Sequence, residues 1–522
     1  VLEIAGLTLL KNGQPSELFA YQQDGLEKAL SNHDKEKNSF FFFNWGTGCG
    51  KTVVACAGAQ ELFNRKEIDI VLVFTLRQVK SDFTNACNRS TTLRARNIEG
   101  LRKKRHEEYL KQDAQVYVLN YEKARKGVDL EQLKGLILGK RVLFVFDEVQ
   151  KILNNNTSRA GMGELFKEAS EYTIWPMSAS LVKGDPERFW KTFDWMDINP
   201  LGTIDDFRER YVAFSEERKR LVRMKNGYVF TQTDIIRTYD HSKLEEVKER
   251  VDPWSHAVRK SDPGVREFFK GLEFNAIPLE LSDEDRELYD LLCDAYDQDK
   301  TNKLAYYNAL RYTCLTAESH LYSKGPVSKM LVEAKLDLKS STSNKMERVL
   351  DDIEELRDGG DKVLLFTHYT NLSLKIIDRE MNKRGIRHTL HFGEQNSAQN
   401  EEAKALFKSN PDVTVLLSSD AGAYGMNMQE ARVVMSYDTP YDYDTLMQRN
   451  DRIDRADSWL DGLEARMYFY SDTVEERIWE INNARRQISS AVQGTTESLS
   501  RDLPNLNLRE EDSLDYLMGR KR

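Results

Sequence analysis

Short runs of consecutive apolar residues recur along the chain. Between them lie longer stretches in which apolar positions return every three or four residues. Phe40-Phe41-Phe42-Phe43, Ile70-Val71-Leu72-Val73-Phe74, Val116-Tyr117-Val118-Leu119 and Val142-Leu143-Phe144-Val145-Phe146 are the clear runs of the first part. Unbroken apolar runs mark parallel strands covered on both faces, and the spaced pattern marks the helices that cover them. A second series starts at Lys362-Val363-Leu364-Leu365-Phe366-Thr367. It continues through Val413-Thr414-Val415-Leu416-Leu417-Ser418, Val433-Val434-Met435-Ser436-Tyr437 and Arg466-Met467-Tyr468-Phe469-Tyr470. The pattern predicts an α/β fold with two tandem lobes built on parallel sheets, over residues 1–200 and 341–480. Residues 201–340 are mostly charged and read as helical, with one hairpin. Its strands are Leu221–Lys225 and Tyr228–Phe230, and its turn is Asn226-Gly227, the strongest short signal for a type I′ turn. Residues 481–522 read as a C-terminal helix and tail.

Composition narrows this only a little. The 522 residues are 40% apolar and 31% charged, enough for several ordinary cores, and the net charge is −9. That acidity excludes a wholly basic coat for nucleic acid but leaves room for a local basic track. Arg102-Lys103-Lys104-Arg105, and Arg218-Lys219-Arg220 with Arg223 and Lys225, are the candidates. For both, a solvated charged face is the simpler reading. Cys49, Cys56, Cys87, Cys293 and Cys314 form no C-x-x-C pair, and no His stands at zinc-ligand spacing from two of them. They read as reduced thiols in a reducing compartment. With no signal pattern and no apolar stretch of about 18 residues, the expected location is cytoplasmic, off the membrane.

The first apolar run breaks into Trp45-Gly46-Thr47-Gly48-Cys49-Gly50-Lys51-Thr52. Strand, glycine-rich loop, Lys-Thr and helix make a phosphate-binding loop. Backbone N–H groups from Gly46 to Gly50 turn inward on a polyphosphate, Lys51 reaches its β and γ groups, and the Thr52 hydroxyl holds Mg²⁺. The helix that follows turns its positive end toward the same anion. A chance glycine loop is the plain alternative, and the strand before and helix after weigh against it. The run Val142–Phe146 ends in Asp147-Glu148. Asp147 is placed to hold Mg²⁺ through water and Glu148 to orient and deprotonate an attacking water. Gln448-Arg449-Asn450-Asp451-Arg452-Ile453-Asp454-Arg455 lies in the second lobe. On a helix, Arg452 and Arg455 share a face, an arrangement suited to the spreading charge of a transferred γ-phosphate. The competing reading is a surface pair bonded to Asp451 or Asp454.

Taken in order, these motifs resemble those of superfamily-two helicase motors, in the SWI/SNF-type DNA translocase branch, over residues 15–480. Trp45, where the strict loop pattern has Gly, fits the helicase form of that loop. Leu18–Gly25 resembles the family's Tyr-Gln segment, which implies that Gln22 reads adenine. Asp147–Asn154 with Ser158-Arg159 is similar to the extended Asp-Glu box. Asn199-Pro200-Leu201-Gly202 with Phe207 and Tyr211 resembles the post-lobe signature. Leu416–Met428 resembles the glycine-rich motif that couples DNA to ATP, and it contains Gly425 at a nucleotide-contacting position. Gln448, Arg452 and Arg455 fall on the arginine-finger motif, and Ser471–Ile478 carries the closing Thr-x-Glu-Glu-x-Ile string.

The resemblance implies two RecA-like lobes with a mostly helical insertion, ATP and Mg²⁺ as cofactors, and hydrolysis by Lys51, Asp147, Glu148, Gln448, Arg452 and Arg455. By family position, Thr75, Arg77, Asn120, Tyr121, Thr367, His368, Ser418 and Ser419 contact nucleic acid. The implied partner is double-stranded or branched DNA, and the implied state is a monomer. Four departures stand out: Val149-Gln150 for the small residue and His of the box, Met177-Ser178-Ala179-Ser180-Leu181 for Leu-Thr-Gly-Thr-Pro, Asp420 for an Arg, and Asn400 near a usual Arg. A compact motor without reader modules is similar to phage- and virus-encoded members. Three alternatives stay open: a strand-separating or branch-processing DNA or RNA helicase, a non-catalytic ATP-gated clamp on nucleic acid, and an unrelated phosphate-loop enzyme such as a small-molecule kinase. The second lobe speaks against the last.

Overall fold

The computed structural model describes residues 2–11, 14–34, 38–77, 79–124, 127–153, 156–179, 187–195, 199–223, 229–240, 243–298, 302–339, 343–420, 426–456 and 458–493. Asn154, the turn Asn226-Gly227, Gly425 and the expected tail beyond residue 493 lie outside them, as do the Ser158 side chain and the basic side chains Arg218, Lys219, Arg220, Arg223 and Lys225. Two compact units divide the rest, one built chiefly from residues up to Gly264 and the other chiefly from Val265 to Asn483.

In the first lobe, β1 (Leu9–Lys11) and β2 (Gln14–Ser16) form a small antiparallel pair. The main sheet collects β3 (Asn38–Phe40), β4 (Phe42–Trp45), β5 (Ile70–Thr75), β6 (Ala95–Asn97), β7 (Val116–Asn120), β8 (Arg141–Asp147) and β9 (Glu171–Met177). The long antiparallel pair β10 (Val212–Arg223) and β11 (Val229–Tyr239) follows, and then β12 (Ser255–Val258) returns to the main sheet. The sheet has eight strands in the order β12-β4-β9-β8-β5-β7-β6, with β3 beside β9, and every pairing is parallel. Every position of β5 is buried because helices cover both faces, which is why its sequence is apolar throughout. Phe40, Phe42, Leu72, Phe74, Phe144 and Phe146 pack with Leu130, Leu133 and Leu165 of the covering helices. In a parallel sheet the strand ends carry the site. Here Trp45, Thr75, Asn120 and Asp147 are the last residues of β4, β5, β7 and β8.

In the hairpin, Arg223 pairs with Val229 and Leu221 with Thr231.

The second lobe is a six-stranded parallel sheet in the order β13-β18-β17-β14-β16-β15. Its strands are β13 (Leu272–Leu279), β14 (Val363–Thr367), β15 (His388–His391), β16 (Val415–Ser419), β17 (Val433–Ser436) and β18 (Leu463–Tyr470). Alternate residues serve opposite cores. Val363, Leu365, Val415, Leu417, Val433 and Met435 meet Leu350, Ile353 and Ile377 on one face. Leu364, Phe366, Leu416 and Val434 meet Phe407, Met426 and Met428 on the other. The helical insertion consists of Asp283–Gln298, Lys303–Leu315, Ser319–Tyr322 and Pro326–Glu333.

The closing string has a structural cause. Thr473 donates its hydroxyl to the Tyr470 carbonyl at 2.6 Å and accepts the Glu475 N–H at 3.2 Å. Glu475 meets Lys345 at 2.5 Å with both side chains almost wholly buried, and the ammonium lies 4.6 Å from the centre of the Tyr470 ring. This pair pins the start of helix Asn344–Asp358 to the start of helix Val474–Gln493. No described helix is long and apolar enough to cross a membrane.

Candidate active site

The phosphate loop follows β4 directly, and helix Lys51–Asn64 follows the loop. Gly50 has φ +85°, a conformation that demands glycine, and a Cβ there would stand 2.3 Å from the end of the Gln22 side chain at Nε2. The bare glycine thus lets Gln22, the expected adenine reader, lie close against the loop. Gln22 Oε1 in turn accepts the Phe19 N–H at 3.0 Å. Lys51 Nζ donates to the Trp45 carbonyl at 3.0 Å and the Gly46 carbonyl at 3.3 Å, which lays its charge across the loop.

Trp45 is tolerated at a glycine position because only its backbone belongs to the loop. Its ring is fully buried against Tyr21 and Phe43. Its indole N–H donates to His256 Nδ1 at 3.2 Å, and His256 Nε2 meets Asp24 at 3.0 Å. Gly25 lets this stack close: a Cβ there would stand 2.5 Å from both His256 and Trp45. Strand β12, which carries His256, also accepts the Gly46 N–H on the Val258 carbonyl at 2.8 Å.

β8 stops at Asp147, and Glu148 turns off it with φ +55°. A non-glycine residue held there stores strain, which collects at working sites. Thr75 donates its hydroxyl to Asp147 Oδ2 at 2.8 Å, and Tyr121 donates its hydroxyl to the Asp147 carbonyl at 2.5 Å. Gln150 donates its amide to Glu148 and accepts the Ser178 hydroxyl at 2.7 Å. Gln150 and Ser178, two of the departures from the family pattern, are thereby one hydrogen-bonded unit. Burial, then the Glu148 charge beside it, push the Asp147 carboxyl up to about 6, against Lys51 and the Thr75 hydroxyl. Two crowded carboxyls short of positive charge, together with the Thr52 hydroxyl that follows Lys51 in the loop, are a hard-oxygen donor set. Asp147 and Thr52 fit Mg²⁺, which takes few protein ligands and completes its shell with water and phosphate.

The expected nucleic-acid residues separate into two groups. Arg77 and His368 are exposed. Thr75, Tyr121, Thr367, Ser418 and Ser419 are buried. The hydroxyls of Thr75 and Tyr121 are committed to Asp147, that of Thr367 to Asp438 and Ser373, and that of Ser418 to the Ser419 carbonyl. These side chains position the strand ends rather than face a polymer. Asn120 donates to Glu122. Of the basic run, Arg105 is tied to Asp129 by two bonds of 2.9 and 2.7 Å, while Arg102, Lys103 and Lys104 are solvated. Sequence reading passed over Lys80. It is buried, donates to the Ile98 carbonyl at 2.9 Å, and is pushed down to about 8, chiefly by desolvation.

In the second lobe, helix Tyr443–Asn450 ends before Arg452 and Arg455, so no helical face brings them together. The turn after the helix does. Arg452 Nη1 and Arg455 Nη2 both donate to the Met426 carbonyl, at 3.2 and 2.7 Å, and Arg452 Nε donates to the Gln448 carbonyl at 2.6 Å. Arg449, which sequence reading passed over, is fully buried. Its Nε donates to Asp420 at 2.7 Å and its Nη2 to Asp438 at 2.9 Å. The carboxylate that closes β17, in Tyr437-Asp438-Thr439, was the signal for it.

Residues 15–181 match the type III restriction enzyme res subunit family, and residues 344–457 match the helicase conserved C-terminal domain. The chain belongs to helicase superfamily two. Within it the chain is an ATPase of the ATP-dependent helicase and translocase family. Mouse DNA repair and recombination protein RAD54B is 22% identical over 73% of this chain and 44% of its own length. The uncharacterized ATP-dependent helicase YqhH of Bacillus subtilis is 20% identical over 70% of this chain and 62% of its own. An uncharacterized ATP-dependent helicase of Schizosaccharomyces pombe, C23E6.02, is 28% identical over 34% of this chain and 17% of its own. The matches thus span between 17% and 62% of these relatives' own length, less than two thirds in each case. The Sulfolobus solfataricus SWI2/SNF2 ATPase core solved with double-stranded DNA aligns over 100% of this chain and 99% of that one, at 19% identity and TM-score 0.41. The expected phage origin has no support among these relatives.

Proposed function

We propose that this superfamily-two chain is an ATP-driven motor that moves along double-stranded DNA. The observation that carries the hydrolytic part is the end of β8. There a strained Glu148 and a charge-starved Asp147 stand in the same sheet as the phosphate loop and its Lys51. Lys51 and the loop N–H groups bind the phosphates, and Gln22 selects adenine. Asp147 and Thr52 hold Mg²⁺, whose charge offsets that of the β and γ phosphates. Glu148 orients water and takes its proton, while Gln150 fixes the carboxylate against Ser178. Arg452 and Arg455 supply guanidinium charge to the transferred phosphoryl group, the role that arginine fingers play elsewhere.

Duplex DNA is favoured as the track by the branch-type motifs at 147–159, 416–428 and 471–478, and by the mouse relative, a DNA repair and recombination protein. Exposed Arg77 and His368 at strand ends suit phosphate contacts, which position without reading sequence. The β10–β11 hairpin, with strands of 12 and 11 residues, supports a second reading as a strand-separating wedge. ATPase rates with no polymer, duplex DNA, single-stranded DNA and RNA, measured beside strand displacement, decide the matter. The translocase reading expects duplex stimulation without strand release. Equal stimulation by RNA, or none by any polymer, removes it, and strand release establishes the wedge.

A further inference from the structure

At the end of β14, four groups from four parts of the second lobe form one chain of contacts. Arg449, fully buried, donates to Asp438 and to Asp420 Oδ1. Asp438 also accepts the His368 N–H at 2.6 Å and the Thr367 hydroxyl at 3.0 Å. The outward oxygen of Asp420, Oδ2, lies 2.7 Å from His368 Nδ1, and the His368 side chain is 55% exposed. An aspartate thus joins a buried arginine to a surface imidazole, at the position where the family pattern has arginine. Arg311 faces the imidazole from helix Lys303–Leu315, and the Tyr369 ring stands against it at 4.8 Å.

Asp420 decides which tautomer the neutral ring adopts. A carboxylate at Nδ1 requires the proton there, which leaves Nε2 a bare acceptor. Among the described residues Nε2 has no partner. A bare acceptor repels a phosphate oxygen, and only the imidazolium presents an N–H outward. We propose that the His368–Asp420 pair is a proton-gated contact to the phosphates of duplex DNA, with Asp420 as its positioning residue. This rests on the reading of the chain as a DNA motor. The hydrogen bond to Asp420, helped by the Asp438 charge and opposed by burial and Arg311, raises the pKa of His368. The cation therefore persists toward neutral pH and is lost as pH rises through that raised value. The contact is tied through Asp420 to Arg449, on the helix that leads into Arg452 and Arg455.

The test is the affinity of the full chain for a labelled duplex, between about pH 5.5 and 8.5, at several salt concentrations. The wild type should weaken roughly tenfold as pH rises, the scale of one charge-assisted hydrogen bond. The slope of log K against log salt should shrink by about one phosphate's worth. His368→Gln, which offers a neutral donor at every pH, should bind with no pH dependence across this range. Asp420→Asn should move the wild-type transition to lower pH. If His368→Gln keeps the wild-type pH dependence, the proposal is overturned. If no variant and no wild type binds duplex at any pH, the DNA-motor reading itself fails.

Discussion

The two lobes share a parallel α/β plan and treat charge in opposite ways. In the first, Asp147 and Glu148 crowd one strand end, one carboxyl is pushed up, and one backbone is strained. In the second, the buried charges are answered at close range: Arg449 by two aspartates, and Lys345 by Glu475. One lobe holds an unbalanced site whose deficit a bound cation would remove. The other uses balanced pairs as fasteners. The same fold thus supports chemistry where charge is left incomplete and rigidity where it is completed.

The sharpest test of the incomplete site is Glu148→Gln. Turnover should fall by about 10⁴-fold, the upper range for a positioned base, with ATP still bound. Lys51→Ala should lose binding as well. Single-turnover rates and nucleotide titration separate the two, and normal turnover in Glu148→Gln would remove the asymmetry between the lobes. Next in size are Arg452→Ala and Arg455→Ala, the proposed exception to the second lobe's structural use of charge. Each should lower kcat by about 10³-fold with little change in nucleotide affinity, and Lys should rescue poorly. A small Tm shift with normal kcat would return both to the fasteners.

The fasteners make their own prediction. Glu475→Gln strands a buried ammonium and should cost about 3–5 kcal/mol in denaturant unfolding, whereas replacing Lys345 and Glu475 together by Met and Leu should cost far less. Equal losses would show that packing, not charge, holds the two helices. The smallest effect concerns Asp147. Its folded pKa of about 6 lies above the ordinary 3.8, so the folded protein binds the proton more tightly and stability is lost as pH rises from about 4 to 6. Asp147→Asn should therefore be more stable than wild type by about 2–3 kcal/mol near pH 7.5 and gain nothing below about pH 4. Matching melting curves at both pH values would show that Asp147 carries no deficit.

The central strands were legible in the sequence because burial on both faces leaves no choice but apolar residues, as in β5, β8 and β14. The strands that went unread have local reasons. β9 carries Pro176, which ordinarily demotes a run to an edge, and yet it lies between β4 and β8. β12 and β13 are sheet edges with mixed sequences, Ser-His-Ala-Val and Leu-Glu-Phe-Asn-Ala-Ile-Pro-Leu. For the candidate site, Gly50, Lys51, Asp147 and Glu148 stood out because strand, loop and acids follow one another directly. The pairing of Arg452 with Arg455 was read from helical spacing, but the helix ends at Asn450 and a carbonyl brings them together instead. Hydroxyls at strand ends read alike whether they face solvent or an acid. Only the fold shows that Thr75 and Tyr121 serve Asp147.

The return of β12 to the edge beside β4 has a consequence for how the protein is made. Val258 accepts the Gly46 N–H, Arg259 donates to the Asn44 carbonyl and side chain, and His256 anchors Trp45. The loop is encoded at residues 45–52, but its fixed end is encoded some two hundred positions later. A ribosome reading this message completes the phosphate loop, its helix and both acids long before it reaches the strand that clamps them. During that interval the emerging chain carries a loop with its glycines in place and no wall behind it. Arg259 must clear the exit tunnel before the loop gains that wall.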